Sequence, residues 1–495
     1  MAAKRSVILI GLCCGLLLFA CSTPAPSEEL NATPPSVEQT AQVPEMSASM
    51  VQPAAEEGQT QTPISKTTEI PLIFPTETPS PTPESHVTEE NGVLRSDKKV
   101  TAEPEVSAEE LNLLVKANNT FAFDLYPLLQ PTGENFFYSP YNISLTLAML
   151  YGGARGETAQ QMADVLHFKS LGEKIHEAFF TLESALLRRE KDAQGNPGFI
   201  LQFANSLWAQ KGRPFQTSYI DLLAEYYFAD LHLADFASQP DRTREDINRW
   251  VEQKTEGKIQ SLFPENSITS NTRLVLANAV YFKSNWEFPF DPELTKLGDF
   301  FMFVGQTKVP MMEQTATYRY MRTTNYRVVE IPYHGEGLAM VVFMPVDDQT
   351  SKFEESFKDF ESKFNLEMMN DILDKLEPQR IHLYFPKFKI ESEYMLSQTL
   401  MKLGIISAFA PMAANFSAID GTRELYLQQM AHKTYIQVDE KGTEAAAATG
   451  AAVGLTALEP QDAMVLMINH PFIFVIRDQK TGSLLFYGRV LKPTQ

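Results

Sequence analysis

Apolar side chains recur three and four residues apart in EELNLLVKANNTFAFDLYPLL, residues 109–129, the spacing that places them on one face of a helix. Farther along the chain the period shortens. ILQFANSLWAQ, TRLVLANAVYF, LAMVVFMPV, RIHLYFPKF, TYIQVDE, FIFVIRD and SLLFYGRVL alternate or run apolar over the length of a strand. Helical patterns come first and strands dominate the second half, without regular βαβ alternation. The predicted class is therefore α+β with large antiparallel or mixed sheets. No segment repeats at a fixed period.

The N-terminus has a different pattern. Lys4 and Arg5 precede an apolar run from Val7 to Ala20, the length of a signal-peptide core and short of the roughly 20 residues that a spanning helix needs. The run ends Leu18-Phe19-Ala20-Cys21, which resembles the bacterial lipobox, where a cysteine takes a diacylglycerol before cleavage. Phe19 is bulkier than that pattern prefers, and a plain cleaved signal peptide is the alternative. Residues 1–21 are thus expected to be a lipoprotein-type signal, with Cys21 as the lipidation site. The domain would be held outside the cytoplasm on a bacterial cell envelope, or secreted if the alternative holds. Each buried methylene of an acyl chain contributes about 0.8 kcal/mol to membrane attachment. Residues 22–106 are rich in Pro, Thr, Ser and Glu, as in PTETPSPTPES, a composition that cannot repay the entropy of ordering. They are expected to form a disordered tether, with the folded domain spanning 107–495.

Charge and chemistry narrow the function. Lys plus Arg number 42 against 62 Asp plus Glu, a formal net charge of −20, which disfavours nucleic acid because phosphates would be repelled. All three cysteines, Cys13, Cys14 and Cys21, lie in the leader, so the domain has neither disulfides nor a cysteine nucleophile. There is no Walker loop, no dinucleotide fingerprint, no HExxH and no Gly-x-Ser-x-Gly elbow. The eight histidines are scattered, none at metal-ligand spacing from another. The expectation is a protein that is not an enzyme and needs no cofactor or metal.

DEKGTEAAAATGAAVGLTALEP, residues 439–460, stands out because it is nearly free of large side chains. Three conformations compete for it. Ala favours helix, Gly and Thr suit a mobile loop, and alternation suits a strand. As a strand, one face carries Thr443, Ala445, Ala447, Thr449, Ala451, Val453 and Leu455 and no charge. The other carries Glu444 with Ala446, Ala448 and small neighbours. Such a strand could bury its uncharged face and slide between two strands already packed.

VDEKGTEAAAAT (438–449) resembles the reactive-centre-loop hinge of inhibitory serpins, and MINHPFIFVIR (467–477) resembles that family's C-terminal signature. Other blocks agree in order and spacing: NFFYSPYNISLTLAMLYGGARGETAQQM, FANSLWAQ, INRWVEQKTEGKI, LVLANAVYFKSNWEFPF, KVPMM and LQQMAHKTYIQVDEKG. The resemblance covers about Glu109 to Thr494.

It implies a fold of three β-sheets and about nine helices with an exposed reactive-centre loop. It also implies a mechanism in which a protease cleaves the loop as bait. The cut loop then inserts as a strand into the large sheet and traps the protease covalently. On this resemblance the hinge comprises Glu440, Gly442, Thr443, Glu444, Ala445, Ala446, Ala447, Ala448 and Thr449. Trp286 and Lys283 match the region where the sheet first opens; Asn278, Ser139 and His432 match the hydrogen-bonded cluster behind the strands that part. SPYNIS departs from the family by placing Asn142 where a second small hydroxyl is usual. An amide there must find partners or cost about 1–3 kcal/mol.

The usual loop length puts the scissile bond at Thr456-Ala457, with Leu455 and Leu458 as alternative positions. A small uncharged residue suits an elastase-like or subtilisin-like serine protease. A register shift to either leucine would suit a chymotrypsin-like or a cysteine protease. The partners implied are the target protease and, through the lipid, a membrane; the inhibitor itself would be a monomer. The competing reading is a non-inhibitory binding protein or scaffold of the same fold. Such members tend to carry charged, bulky or Pro residues in the hinge, whereas nothing charged follows Glu444 until Glu459.

Overall fold

Ser107 starts the first long helix with reciprocal hydrogen bonds: its Oγ accepts from the Glu110 N–H at 3.2 Å, and the Glu110 carboxylate accepts from the Ser107 N–H at 2.8 Å. This capping box satisfies two donors that a helix start would otherwise leave orphaned. The helix, α1 (Ala108–Leu129), buries Leu114, Phe121, Leu125 and Leu129, the stripe its spacing predicts. The computed structural model describes residues 86–98, 106–189, 199–335, 337–346, 352–443 and 463–494. Nine more α-helices follow among them: α2 (Pro140–Gly153), α3 (Gly156–Val165), α4 (Ile175–Leu187), α5 (Thr217–Tyr227), α6 (Pro240–Lys254), α7 (Phe353–Lys363), α8 (Leu366–Asp374), α9 (Ser397–Leu403) and α10 (Ser417–Asp420).

The strands, numbered in chain order, fall into two hydrogen-bonded systems. The first is a sheet of eight, whose order across it is β1 (Val87–Glu90), β2 (Val93–Ser96), β5 (Leu231–Ala234), β4 (Phe199–Gln210), β6 (Leu274–Asn285), β14 (Gly442–Thr443), β13 (Gln429–Val438) and β12 (Phe388–Met395). The second runs β15 (Met464–Met467), β11 (Glu377–Pro386), β8 (Gln306–Arg322), β9 (Tyr326–Pro332), β10 (Leu338–Pro345), β16 (Phe472–Asp478), β17 (Leu484–Val490) and β3 (Phe136–Tyr138), with β7 (Lys296–Phe301) also on β8. The two smaller sheets of the expected three meet along β8. That long strand pairs with β7 and β11 over most of its length and with β9 only from Arg319 to Arg322, so the pairing continues through it without a break.

β6 explains the layering. Every residue of LVLANAVYF is buried, which a strand achieves only when both faces are covered. Leu276, Val280 and Phe282 join the main core, to which α2 contributes Tyr141, Ile143 and Leu147. On the opposite face Val275, Ala277 and Ala279 join a second core with Ile247 and Val251 of α6.

Part of the stretch expected as disordered tether is ordered. Residues 87–96 form a hairpin, β1 paired antiparallel with β2, and β2 continues the large sheet through Val93↔His232 and Leu94↔Leu231. Asn91 and Gly92 form its turn with positive φ of 52° and 75°, the geometry an Asn-Gly pair favours in a two-residue hairpin. The tether boundary expected at residue 106 therefore needs correction. The Pro-rich composition masked a short amphipathic segment that gains its stability by adding to an existing sheet edge.

Candidate functional site

The large sheet contains one seam with a distinctive topology. β6 and β13 lie side by side in parallel, from Val275↔Gln429 to Tyr281↔Tyr435. Beyond Tyr281 they diverge, and β14 lies between them. It pairs antiparallel with both, through Thr443↔Val438 on one side and Thr443↔Ser284 and Gly442↔Asn285 on the other. The first residues of the alanine-rich stretch are thus already a strand within the sheet.

The packing around this wedge accounts for its residue types. A Cβ on Gly442 would sit 2.0 Å from the Ser284 carbonyl oxygen, so only glycine allows that approach. Thr443 is fully buried, with its Oγ1 2.7 Å from the Tyr333 hydroxyl, and a charge there would have no partner. Trp286 stacks on Tyr333 with ring centroids 4.6 Å apart. Its indole N–H donates to the Asp439 carbonyl at 3.0 Å, and its backbone N–H to that of Lys441 at 2.8 Å. Glu440 anchors the base of the loop. Its carboxylate accepts from Lys387 Nζ and from Thr295 Oγ1, each at 2.8 Å. Burial alone would raise the Glu440 pKa, but the bonds from Lys387 and Thr295 prevail and hold it below its ordinary value. Lys283 is half-buried on β6 opposite Ile200, one residue before the Ser284–Thr443 pair.

Below the wedge, buried polar groups bridge the seam from β13 to β6 and on to α2. The Ser139 N–H, at the start of α2, donates to His432 Nε2 at 3.1 Å. That nitrogen therefore carries the lone pair, so Nδ1 carries the proton and donates to Asn278 Oδ1. Asn278 Nδ2 in turn reaches the Asn142 carbonyl at 2.9 Å, Thr146 Oγ1 and Asn205 Oδ1 at 2.9 Å. Ser139 Oγ donates to the Leu485 carbonyl at 2.7 Å, so the second sheet system joins the network. Burial lowers the His432 pKa to about 3, keeping the ring neutral. A strand entering the seam must break the His432–Asn278 bond.

Asn142, the departure from the family pattern, has found partners. Its Oδ1 accepts from Asn205 Nδ2 at 2.6 Å, and its own amide reaches the Ala279 carbonyl at 3.4 Å. It thereby ties α2 to both β4 and β6. The structure brings together Trp286, Glu440, Gly442 and Thr443 at the wedge, and Ser139, Asn278 and His432 at the bridge. Glu444, Ala445, Ala446, Ala447, Ala448, Thr449, Leu455, Thr456, Ala457, Leu458 and Cys21 lie outside the described residues. Sequence reasoning missed Asn205, Tyr333, Thr295 and Lys387. Each is remote in sequence from its partner, and no local spacing marks any of them.

The site is a sheet whose parallel β6–β13 seam holds Gly442 and Thr443 as a short antiparallel strand at one end. The comparisons agree: the profile of Serpin (serine protease inhibitor) matches residues 116–493, and this chain belongs to the serpin family. An uncharacterized serpin-like protein of Thermococcus kodakarensis is 35% identical over 381 residues, covering 77% of this chain and 86% of that protein. The leukocyte elastase inhibitor A of Mus musculus is 37% identical over 388 residues, 77% of this chain and 99% of the relative. The crystal structure of uncleaved ovalbumin superposes with a TM-score of 0.67 at 29% identity, covering 77% of this chain and all of that one. The family is one of protease inhibitors and not of enzymes.

Two measurements test the bridge. Replacing Asn142 by Ser leaves the Asn205 amide without its acceptor and loosens α2 from β4. The expected result is an equilibrium loss of about 1–3 kcal/mol in urea unfolding. Acid provides the second test. The unfolded chain protonates His432 near 6.5 while the native fold holds it neutral to about 3, so the unfolded state binds the extra proton in between. Stability is then lost as pH falls from 6.5 toward 3. Glu440, depressed in the native state, adds a loss in the same direction below its ordinary 4.5. In His432→Gln the slope between pH 6.5 and 5 should shrink; an unchanged slope assigns it to other groups.

Proposed function

We propose that the protein is a suicide-substrate inhibitor of serine proteases. Cleavage near Thr456-Ala457 forms an acyl-enzyme, the freed loop enters the seam between β6 and β13, and the attached protease is dragged with it and trapped. The observation that carries this reading is the seam itself: closed by parallel pairing and the His432–Asn278 bond, and already wedged at one end by Gly442 and Thr443. Every residue added to β14 would part more of β6 from β13. Thr456 acts as bait, and Gly442 to Thr449 supplies the leading part of the inserting strand.

Small residues at the bond fit an elastase-like or subtilisin-like pocket, and the Mus musculus relative is named for inhibition of an elastase. A bond at Leu455 or Leu458 fits a chymotrypsin-like or cysteine protease instead. The leader ending at Cys21 supports export with a lipid anchor on a bacterial envelope, where a monomeric inhibitor would meet proteases that reach the surface. The competing reading is a serpin-fold binding protein that never traps. The run EKGTEAAAAT, with no charge or Pro after Glu444, favours inhibition over it.

Incubation with pancreatic-type elastase, subtilisin, chymotrypsin and trypsin tests the proposal. The expected outcome is a complex with elastase or subtilisin that survives denaturing electrophoresis, and a released C-terminal peptide whose mass begins at Ala457. Thr449→Arg, placing a charge on the face that must be buried, should convert the same protein into a substrate that is cut without trapping. Cleavage without any covalent complex in the unmodified protein would favour the binding protein.

A further inference from the structure

The apolar stripe that seats α4 contains one acid. Ile175, Phe179, Leu182 and Leu186 are buried in the main core. Glu183 falls on the same face, four residues beyond Phe179, with only 7% of its surface exposed. α4 packs here against α1, α2 and α5. A glutamate is almost never buried so deeply unless it is paired. Glu183 lacks such a partner: its Oε2 is enclosed without a hydrogen bond to any described residue.

The groups that face it do not supply the missing charge. On α2, the Tyr141 hydroxyl is also buried without a hydrogen bond. On α5, the Tyr227 hydroxyl lies 2.5 Å from His176 Nδ1 and is committed there. Burial raises the pKa of both tyrosines, and the Glu183 charge adds to the rise. His176, two turns earlier on α4, is lowered to about 4 by burial and then by Arg155, so it is neutral at physiological pH. The buried face of α1 has one titratable group, Tyr126, whose hydroxyl donates to Glu361 at 2.7 Å. Phe179 and Phe203 complete the surroundings, with ring centroids 6.4 and 5.6 Å from that of Tyr141.

An ionised carboxylate isolated among apolar and aromatic groups costs far more than the neutral acid, so such a group keeps its proton. Burial alone pushes Glu183 up to about 8. We propose that Glu183 is a buried proton-binding site that makes the seating of α4 depend on pH. As the neutral acid it lets α4 dock on α2 and α5; once its proton passes to solvent, the carboxylate loosens that packing. This inference goes beyond the inhibitory reading and does not depend on loop insertion.

The unfolded chain ionises Glu183 near 4.5, whereas the native fold keeps the proton to about 8. The native state therefore holds the extra proton in between. Stability from this group is complete below 4.5 and is lost as pH rises through 8. Below 6.5 the contribution of His432 runs in the opposite direction.

The test compares the full chain with Glu183→Gln, which mimics the neutral acid, and with Glu183→Met, which removes the polar group. Urea-unfolding midpoints are followed from about pH 5 to 9. Hydrogen exchange of the α4 amides is measured alongside and corrected for its intrinsic rate. The expected result is a stability gap that widens in favour of both variants as pH rises to 8 and then levels. Corrected α4 exchange in the unmodified chain should quicken roughly tenfold between about pH 7 and 9, and in neither variant. A gap that does not change with pH overturns the proposal. So does a gap that narrows as pH rises, the mark of an ionised and paired Glu183. If one variant fails to fold, the other carries the comparison; failure of both at every pH gives Glu183 a packing role and overturns the proton site.

Discussion

Parallel pairing of β6 with β13 is the constraint on which the rest of the architecture depends. Two strands separated by well over a hundred residues are brought into register from Val275↔Gln429 to Tyr281↔Tyr435, and a third strand fits between them at one end. A parallel pair is slightly less stable per residue than an antiparallel one. Inserting an antiparallel strand replaces one parallel ladder with two antiparallel ladders. The closed seam is therefore a sheet that could gain hydrogen bonds by opening, held closed by the groups that cross it and by the helices packed on its faces.

Those holding groups are buried and polar, a combination with a specific energetic consequence. Each bond in the series Ser139, His432, Asn278, Asn205 and Asn142 contributes modestly while it is made, but an unmet buried amide or imidazole costs more. Opening the seam partway exposes the cost before the inserted strand supplies new partners. Under the proposed insertion the network would act as a barrier more than as a source of net stability. The wedge at Gly442 and Thr443 begins above it, where Trp286 donates to the Asp439 carbonyl, the Tyr333 hydroxyl pairs with that of Thr443, and Thr295 holds Glu440.

Much of the fold was legible because local periodicity and burial agree. The apolar spacing of residues 109–129 coincides with α1, and ILQFANSLWAQ and LAMVVFMPV coincide with β4 and β10. β13 begins five residues before TYIQVDE, at Gln429, because its first half alternates less visibly. The hairpin at Val87–Ser96 was also present in the sequence as an Asn-Gly pair preceded by Glu89-Glu90 and followed by Val93-Leu94. It was overlooked because composition averaged over the surrounding Pro-rich stretch outweighed a signal carried by two residues.

The sequence by itself determined the class of fold, the glycine and small-residue character of the loop base, the family, and which of Ser139, Asn278, His432 and Trp286 carry polar or aromatic chemistry. Those properties belong to single residues and short spacings. The tertiary structure alone decided that Asn205 answers Asn142, that Lys387 and Thr295 hold Glu440, and that the hairpin pairs with β5. These are pairings between elements distant in the chain, set by how layers pack. A buried donor takes whichever acceptor the packing brings within about 3 Å, and no local pattern records that choice.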